Sequence, residues 1–306
     1  MQDLDEFTVT DAALAQMANT SDPRLLQIME AAVRHLHAFA REINLTPAEW
    51  LDGIRFFTRV GHACTPVRQE FILLSDVLGF SAVVNALHDK TAHDTGTQSS
   101  LLGPFYREGA PECALGDCIV AHPGAPEIVL HGQVTDSGGT PIAGAIIQVW
   151  QTDAKGHYDL QAQDHDQMDM RGNFTCDAQG HYHFRTVRPL GYAIPLDGPV
   201  GALIHQQNRH GMRPAHIHFL IAAPGFRELV TALYFDDDEN IASDTVFGVS
   251  NSLVVQSVLS DGEAPIPGLP SIRYDFQLGH ADAAGDGRVG ADPARLAPPG
   301  EQAGCV

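Results

Sequence analysis

Basic residues are scarce in this chain. Lys and Arg together number 18 against 38 Asp and Glu, so the 306 residues carry a formal charge of −20 at pH 7. Such a surface repels nucleic-acid phosphates and anionic membrane faces, and neither is expected as a partner. Cysteine is also rare: five residues, odd in number and irregularly spaced. Cys113 and Cys118 are the only close pair, and no second pair completes a zinc-type pattern. Reduced thiols in a cytoplasmic protein are the expected state. No run approaches the roughly 20 apolar residues that span a bilayer. The opening Met1-Gln2-Asp3-Leu4-Asp5-Glu6-Phe7 is acidic and lacks the basic and apolar regions of a secretion signal. Charged residues make up only 18 %, but 44 % are hydrophobic, which excludes wholesale disorder. What is plentiful is Gly and Pro, at 29 and 19, and His, at 16. The first two imply many turns; the third makes a metal site worth seeking.

Residues 1–107 read as helical. Asp22-Pro23 is an N-cap with Pro at the first helical position, followed by Leu25, Ile28, Met29, Val33, Leu36 and Phe39 at helical spacing. Thr46 and Glu49 form a capping-box pattern that opens a second helix, with Trp50, Ile54, Phe57 and Val60 on its apolar face. A third run extends from Val67 to about His88. After Gly103-Pro104 the pattern changes to short β-type runs, at 127–135, 145–150, 181–186, 215–222 and 229–235, separated by Gly, Pro and Asp. No helix-length pattern alternates with them, so a parallel α/β sheet is not expected. The expected fold is mainly β: an antiparallel β-sandwich catalytic domain over 108–278, with an N-terminal α-helical domain over 1–107. Residues 279–306 lack apolar periodicity and read as a flexible tail outside the core.

The sharpest local signal is Arg213-Pro214-Ala215-His216-Ile217-His218-Phe219. On a strand, Ala215, Ile217, Phe219 and Ile221 would face the core. His216 and His218 would share the other face, with Cα atoms roughly 6.5–7 Å apart, close enough to converge on one metal ion. The spacing alone is equally explained by two histidines on a polar sheet face. His181-Tyr182-His183 has the same spacing on another expected strand; it follows an ordinary turn and is read as structural. Two histidines leave a metal short of ligands. A carboxylate is the usual third, and none stands in a His-x-Asp relation to His216. Two tyrosines stand out instead: Tyr158, after Lys155-Gly156-His157, and Tyr192, inside Pro189-Leu190-Gly191-Tyr192-Ala193-Ile194-Pro195. Phenolate is a hard, anionic donor that favours Fe(III), and its solution pKa near 10 requires the metal charge to drive off the proton. Taken singly, each tyrosine is as well read as a packed aromatic with a satisfied hydroxyl.

Taken together, Tyr158, Tyr192, His216 and His218, at separations of 34, 24 and 2 residues, resemble the iron-ligand set of the intradiol ring-cleavage dioxygenases. The surrounding strings IIQVWQTDAKGHYD, FRTVRPLGYAIPLDGPV and NRHGMRPAHIHFLIAAPGFRELVT carry the likeness. So do EWLDGIRFFTRVGHACTPVRQEFILLSDVLGFS, SLLGPFYREGAP and FDDDENIASDTVFGVSNSLVV, which resemble the hydroxyquinol-cleaving branch. The resemblance implies a non-haem Fe(III) held in a β-sandwich, a homodimer through the N-terminal helices, and a phospholipid bound in a helix-lined tunnel at that interface. It implies a vicinal aromatic diol and O2 as substrates, with hydroxyquinol yielding a hydroxymuconate that tautomerises to maleylacetate. Tyr192 would leave the metal and accept a substrate proton, while Tyr158 stays. Arg213 would stabilise negative charge developing on the substrate, and Leu73, Asp76, Gly103, Phe105 and Ile194 would line the pocket with it. Asp76 would accept a hydrogen bond from a third ring hydroxyl. One position departs from the resemblance: Ala232 stands where relatives often carry Gln or His.

Three other readings compete. One keeps the chemistry and changes the substrate to catechol or a substituted catechol. A second is a non-catalytic β-sandwich carrier of apolar molecules, which would be colourless and take up no oxygen with diols. The third, a zinc hydrolase, has poor support because tyrosines are poor zinc ligands and no general-base Glu stands beside the histidines.

Overall fold

The computed structural model describes residues 4–65, 68–91, 96–121, 126–161, 167–256 and 265–281. The chain forms two compact units, residues 1–59 and 60–306, with the boundary inside a helix. The change from helix to strand comes later, after residue 91, so two more helices group with the sheets.

In the first unit, α1 (Thr8–Met17) packs on α2 (Pro23–Glu42). Asp22 caps α2 as its sequence implies: one carboxylate oxygen accepts from the Arg24 and Leu25 N–H groups, and Pro23 occupies the first turn. Thr46 and Glu49 close the capping box on α3 (Pro47–Ala63). The apolar faces of these helices stay open in the single chain. No residue of α2 is buried, and Leu36, Phe39, Trp50 and Phe57 are all more than half exposed.

The second unit begins with α4 (Glu70–Val77) and α5 (Phe80–Thr91). The sequence reads as one helix here. The chain instead turns by 74° at Gly79, whose φ of +72° is strained for any side chain with a Cβ. Among the described residues no single helix is long and apolar enough to cross a membrane.

Among the described residues twelve strands follow. The larger sheet has the order β1 (Glu112–Cys113), β4 (Arg171–Thr175), β3 (Ile146–Gln151), β8 (His216–Ala222), β9 (Leu229–Phe235), β10 (Val254–Val255). In the second sheet β2 (Glu127–Asp136) pairs with β5 (His181–Val187), β11 (Ser271–Arg273) and β12 (Phe276–Leu278). Both sheets are mixed, which corrects the purely antiparallel expectation. The long strands pair antiparallel, but β1, β10, β11 and β12 pair parallel to their neighbours. These are pieces of two or three residues, and no tight hairpin joins them to the strands they pair with, so no turn forces their direction. Among the described residues six α-helices accompany the sheets, five of them in the N-terminal helical region that was expected.

Side chains from both sheets merge in one buried cluster. Ala215, Ile217, Phe219 and Ile221 lie in it with Ile147 and Val149, together with Leu130, Val134 and Phe184 from the second sheet. The alternation along β8 therefore holds, and it turns His216 and His218 away from this core. An unforeseen helix, α6 (Pro199–Gln206), starts at Gly198-Pro199 and lies between β6 (Tyr192–Ala193) and β7 (Met212–Arg213), which pair with each other. Residues 279–281 are tied to the core side, since Arg227 N–H donates to the Gly279 carbonyl and Phe226 bridges to His280. The rest of the expected tail, 282–306, falls outside the described residues.

Candidate active site

His216 and His218 project from β8 as neighbours on its non-core face, and both are buried. The register puts His216 opposite Tyr234, and His218 between Trp150 on β3 and Ala232 on β9. Trp150 lies flat on the His218 imidazole, with ring centroids 4.9 Å apart and planes 4° from parallel. On the His218 ring edge, a Cβ at Gly103 would sit 3.5 Å from Nε2, and Gly103 has φ +73°. A backbone with no side chain therefore passes this nitrogen. Ala232 is fully buried, so the polar side chain expected there from the resemblance is absent, and Trp150 supports the ring from the opposite strand.

The tautomer of His216 is fixed by its own strand. Nδ1 lies 2.6 Å from the Pro214 carbonyl oxygen, which only accepts, so Nδ1 carries the proton and Nε2 keeps its lone pair. That Nε2 faces three other groups: His218 Nε2 at 3.1 Å, Arg213 Nη1 at 3.1 Å and Tyr158 Oη at 3.4 Å. Tyr158 arrives on the turn after β3, where the Asp153 carboxylate accepts from the Lys155 and His157 N–H groups and Gln161 caps the Tyr158 N–H. Tyr192 arrives on β6, directly opposite Arg213 on β7. Its ring meets Tyr158 edge-on at 5.4 Å and lies 5.7 Å from the His216 ring. Phe105 stacks on Tyr158 at 4.4 Å and abuts Tyr192 at 5.9 Å.

Three separate segments thus bring Tyr158, Tyr192, His216 and His218 into one buried cluster, with Arg213, Phe105 and Gly103 against it. Asp76, on α4, is buried and feels the Arg213 charge. Leu73 is buried one turn earlier on the same helix, and Ile194 is buried just after β6. Three residues with roles here escaped the sequence reading: Trp150, Tyr234 and Asp244. Asp244 accepts from Arg213 Nε at 3.3 Å, and Tyr234 Oη accepts from Arg213 Nη2 at 3.2 Å. Alternation along β9 places Tyr234 two residues from Ala232, on the face that carries the histidines; nothing in the sequence near Asp244 marked it.

Electrostatics keep the four donors neutral until a cation arrives. Burial pushes the Tyr158 and Tyr192 phenols above their ordinary range. Burial, and then the Arg213 charge, hold both imidazoles well below theirs. Among the described residues no group of three or more His, Cys, Asp or Glu converges as a metal site. The donors gathered here include two imidazole nitrogens and the phenols of Tyr158 and Tyr192. That set fits a hard trivalent ion: neutral imidazoles are already in the ligating state, and a strong local charge would ionise the phenols.

Residues 102–280 match the family described as dioxygenase, and residues 22–96 match the catechol dioxygenase N terminus. A 6-chlorohydroxyquinol 1,2-dioxygenase from Cupriavidus pinatubonensis is 44 % identical over 278 residues, covering 91 % of this chain and 99 % of the relative. The chain belongs to the intradiol ring-cleavage dioxygenase family. A hydroxyquinol 1,2-dioxygenase from Nocardioides simplex is 42 % identical, covering 90 % of this chain and 96 % of the relative. The solved structure of hydroxyquinol 1,2-dioxygenase from Pseudomonas putida DLL-E4 superposes with a TM-score of 0.79 at 40 % identity, over 90 % of this chain and 99 % of that one. Catechol 1,2-dioxygenase from Acinetobacter radioresistens gives a TM-score of 0.80 at 26 % identity, over 95 % and 99 %. As an intradiol dioxygenase this chain is an enzyme, and its family implies a non-haem iron cofactor.

Proposed function

We propose that the chain is an Fe(III)-dependent intradiol dioxygenase that cleaves hydroxyquinol with O2. The ring opens between the two adjacent hydroxylated carbons, and both oxygen atoms of O2 enter the product. That product is 3-hydroxy-cis,cis-muconate, which tautomerises to maleylacetate. The observation that carries the reading is the convergence of His216 Nε2, His218 Nε2 and Tyr158 Oη within 3.1–3.4 Å, with the Tyr192 ring alongside. Tyr158, Tyr192, His216 and His218 would hold the iron. Iron(III) held there would supply Lewis-acid chemistry that makes an aromatic diol reactive toward O2.

The remaining work falls to the protein. Tyr192 Oη would accept a proton from one substrate hydroxyl, while Tyr158 would remain a holder of the iron. Arg213, 2 % exposed and permanently charged, faces the donor atoms and stabilises the negative charge that develops on the opening ring. Gly103, Phe105, Leu73 and Ile194 shape an apolar wall, and the Asp76 carboxyl accepts a hydrogen bond from the third hydroxyl of hydroxyquinol. In the helical part, the open apolar faces of α2 and α3 support a homodimer contact, with a phospholipid at that interface. No role is assigned to residues 282–306.

The test is a visible spectrum with and without hydroxyquinol, followed by turnover of hydroxyquinol and catechol on the same preparation. Phenolate-to-Fe(III) charge transfer is expected to colour the protein, and hydroxyquinol to shift the band and turn over faster than catechol. Faster turnover of catechol overturns the substrate assignment; a colourless, iron-free protein inert to both diols overturns the enzyme reading.

A further inference from the structure

The Arg213 guanidinium sits in a closed ring of hydrogen bonds, into which it donates from both Nη2 and Nε. Nη2 donates to Tyr234 Oη at 3.2 Å. Ser100 Oγ lies 2.9 Å from Tyr234 Oη and donates its own proton to the Gly248 carbonyl at 3.0 Å, so the proton between the two hydroxyls belongs to Tyr234. On its other side, the Gly248 N–H donates to Asp244 Oδ2 at 2.9 Å. Asp244 Oδ1 then accepts from Arg213 Nε at 3.3 Å, which completes the circuit. Arg213, Tyr234, Ser100 and Asp244 are all buried, so no water competes for these bonds.

The ring also explains why residue 248 is glycine. A Cβ there would stand 2.5 Å from Tyr234 Oη, 3.0 Å from Arg213 Nη2 and 3.1 Å from Asp244 Oδ2. The centre of the circuit has no room for a methyl group. With Nε and Nη2 both engaged, Nη1 is the edge of the guanidinium turned toward the donor cluster, 3.1 Å from His216 Nε2.

We propose that Tyr234, Ser100, Gly248 and Asp244 form a positioning ring that aims Arg213 Nη1 at the reacting diol. The proposal rests on the dioxygenase reading for its kinetic arm and on the protein alone for its structural one. None of the four touches substrate; they act through Arg213. A guanidinium held by two bonds on one side has one orientation, and freeing Nη2 lets the planar group swing about Cδ–Nε. The transition-state charge then loses part of its stabilisation while ground-state binding is largely kept.

Two measurements on Tyr234→Phe decide it. In the metal-free protein carrying 15N-arginine, Arg213 is expected to show separate, slowly averaging Nη resonances by NMR, which merge in the variant. In the iron-loaded enzyme, kcat for hydroxyquinol is expected to fall about tenfold with KM within about twofold, the size typical of supporting partners one step from a site. Iron content and the charge-transfer band stay as in the wild type. Ser100→Ala, which leaves the Arg213–Tyr234 bond in place, costs less. Adding Tyr234→Phe to Arg213→Lys costs nothing further, since the fork it steadies is already gone. Unchanged Arg213 resonances, a kcat within twofold of wild type, or a loss that multiplies in full onto Arg213→Lys would overturn the proposal. A wild-type enzyme inert to diols would sink the dioxygenase reading instead, and the NMR result would still decide the ring.

Discussion

Two strands of this protein carry the same His-x-His spacing, and they have opposite fates. On β8, His216 and His218 are buried, point their Nε2 atoms at each other, and meet two tyrosines delivered by other segments. On β5, His181 is exposed and lies 3.4 Å from the neighbouring Asp177, while His183 is half-buried opposite His131. The aromatic nearest this second pair, Tyr182, faces the core and spends its hydroxyl on the Tyr274 carbonyl. Strand periodicity explains why either pair shares a face. It does not explain a metal site, which needs further donors and a fixed tautomer. The Pro214 carbonyl fixes the tautomer of His216, and the turn carrying Tyr158 and strand β6 carrying Tyr192 bring two phenols beside it.

The contrast breaks most visibly at the donors themselves. His218→Ala and Tyr158→Phe are each expected to bleach the iron-loaded protein and abolish ring opening; retained colour and turnover in both would remove the distinction between the strands. Arg213→Ala comes next. Iron content and colour should survive, with kcat for hydroxyquinol lower by about 10²–10³-fold, the usual cost of losing a buried group that stabilises transition-state charge. Loss of iron in this variant would mean that Arg213 builds the site rather than serving it.

Asp76 gives a smaller effect with a defined sign. Burial pushes its carboxyl up to about 6 from an ordinary 3.8, against the pull of Ser81 and Arg213. Between those values the folded protein holds a proton that the unfolded chain releases, so this group's favourable contribution is lost as pH rises through 6, and above it the folded state bears a buried charge. Asp76→Asn should therefore stabilise the protein at pH 8, by up to about 3 kcal/mol, with the gain vanishing near pH 4. Thermal melts at the two pH values check this, and a gain equal at both would contradict it. The same variant should lose more turnover on hydroxyquinol than on catechol. The smallest effect sharpens the comparison from its other end. Replacing His181 and His183 together by Ala should leave colour and kcat within about twofold, and stability within ~1 kcal/mol, as for surface positions without special contacts. Bleaching there would show that the second pair had been misread.

Much of the scaffold was visible in short-range pattern. The Asp22 and Thr46 caps, the core alternation of Ala215, Ile217, Phe219 and Ile221, and the helix-to-strand change all follow from neighbours within a few residues. The break at Gly79 was not, because apolar spacing runs on through it and only its left-handed backbone marks the turn. The parallel edge strands were not either: runs of two or three residues carry no period, and their direction comes from the loops that deliver them. At the site, the four candidate ligands and Arg213 were named from the chain. Trp150, Tyr234 and Asp244 were missed, because each acts through a partner more than 20 positions away in sequence or across a strand pair.

Sequence by itself determined which chemistries were available: a chain of net charge −20, with no metal cluster suggested by its cysteines and two tyrosines set beside a His-x-His strand. It also determined the local elements, since caps and periodicity are properties of adjacent residues. Only the tertiary structure brings Tyr158 and Tyr192 against the buried His216 and His218 and leaves His181 exposed. A donor set and an aimed guanidinium exist only when distant segments are held against each other, and that is the work of burial and register, which no single stretch of chain contains.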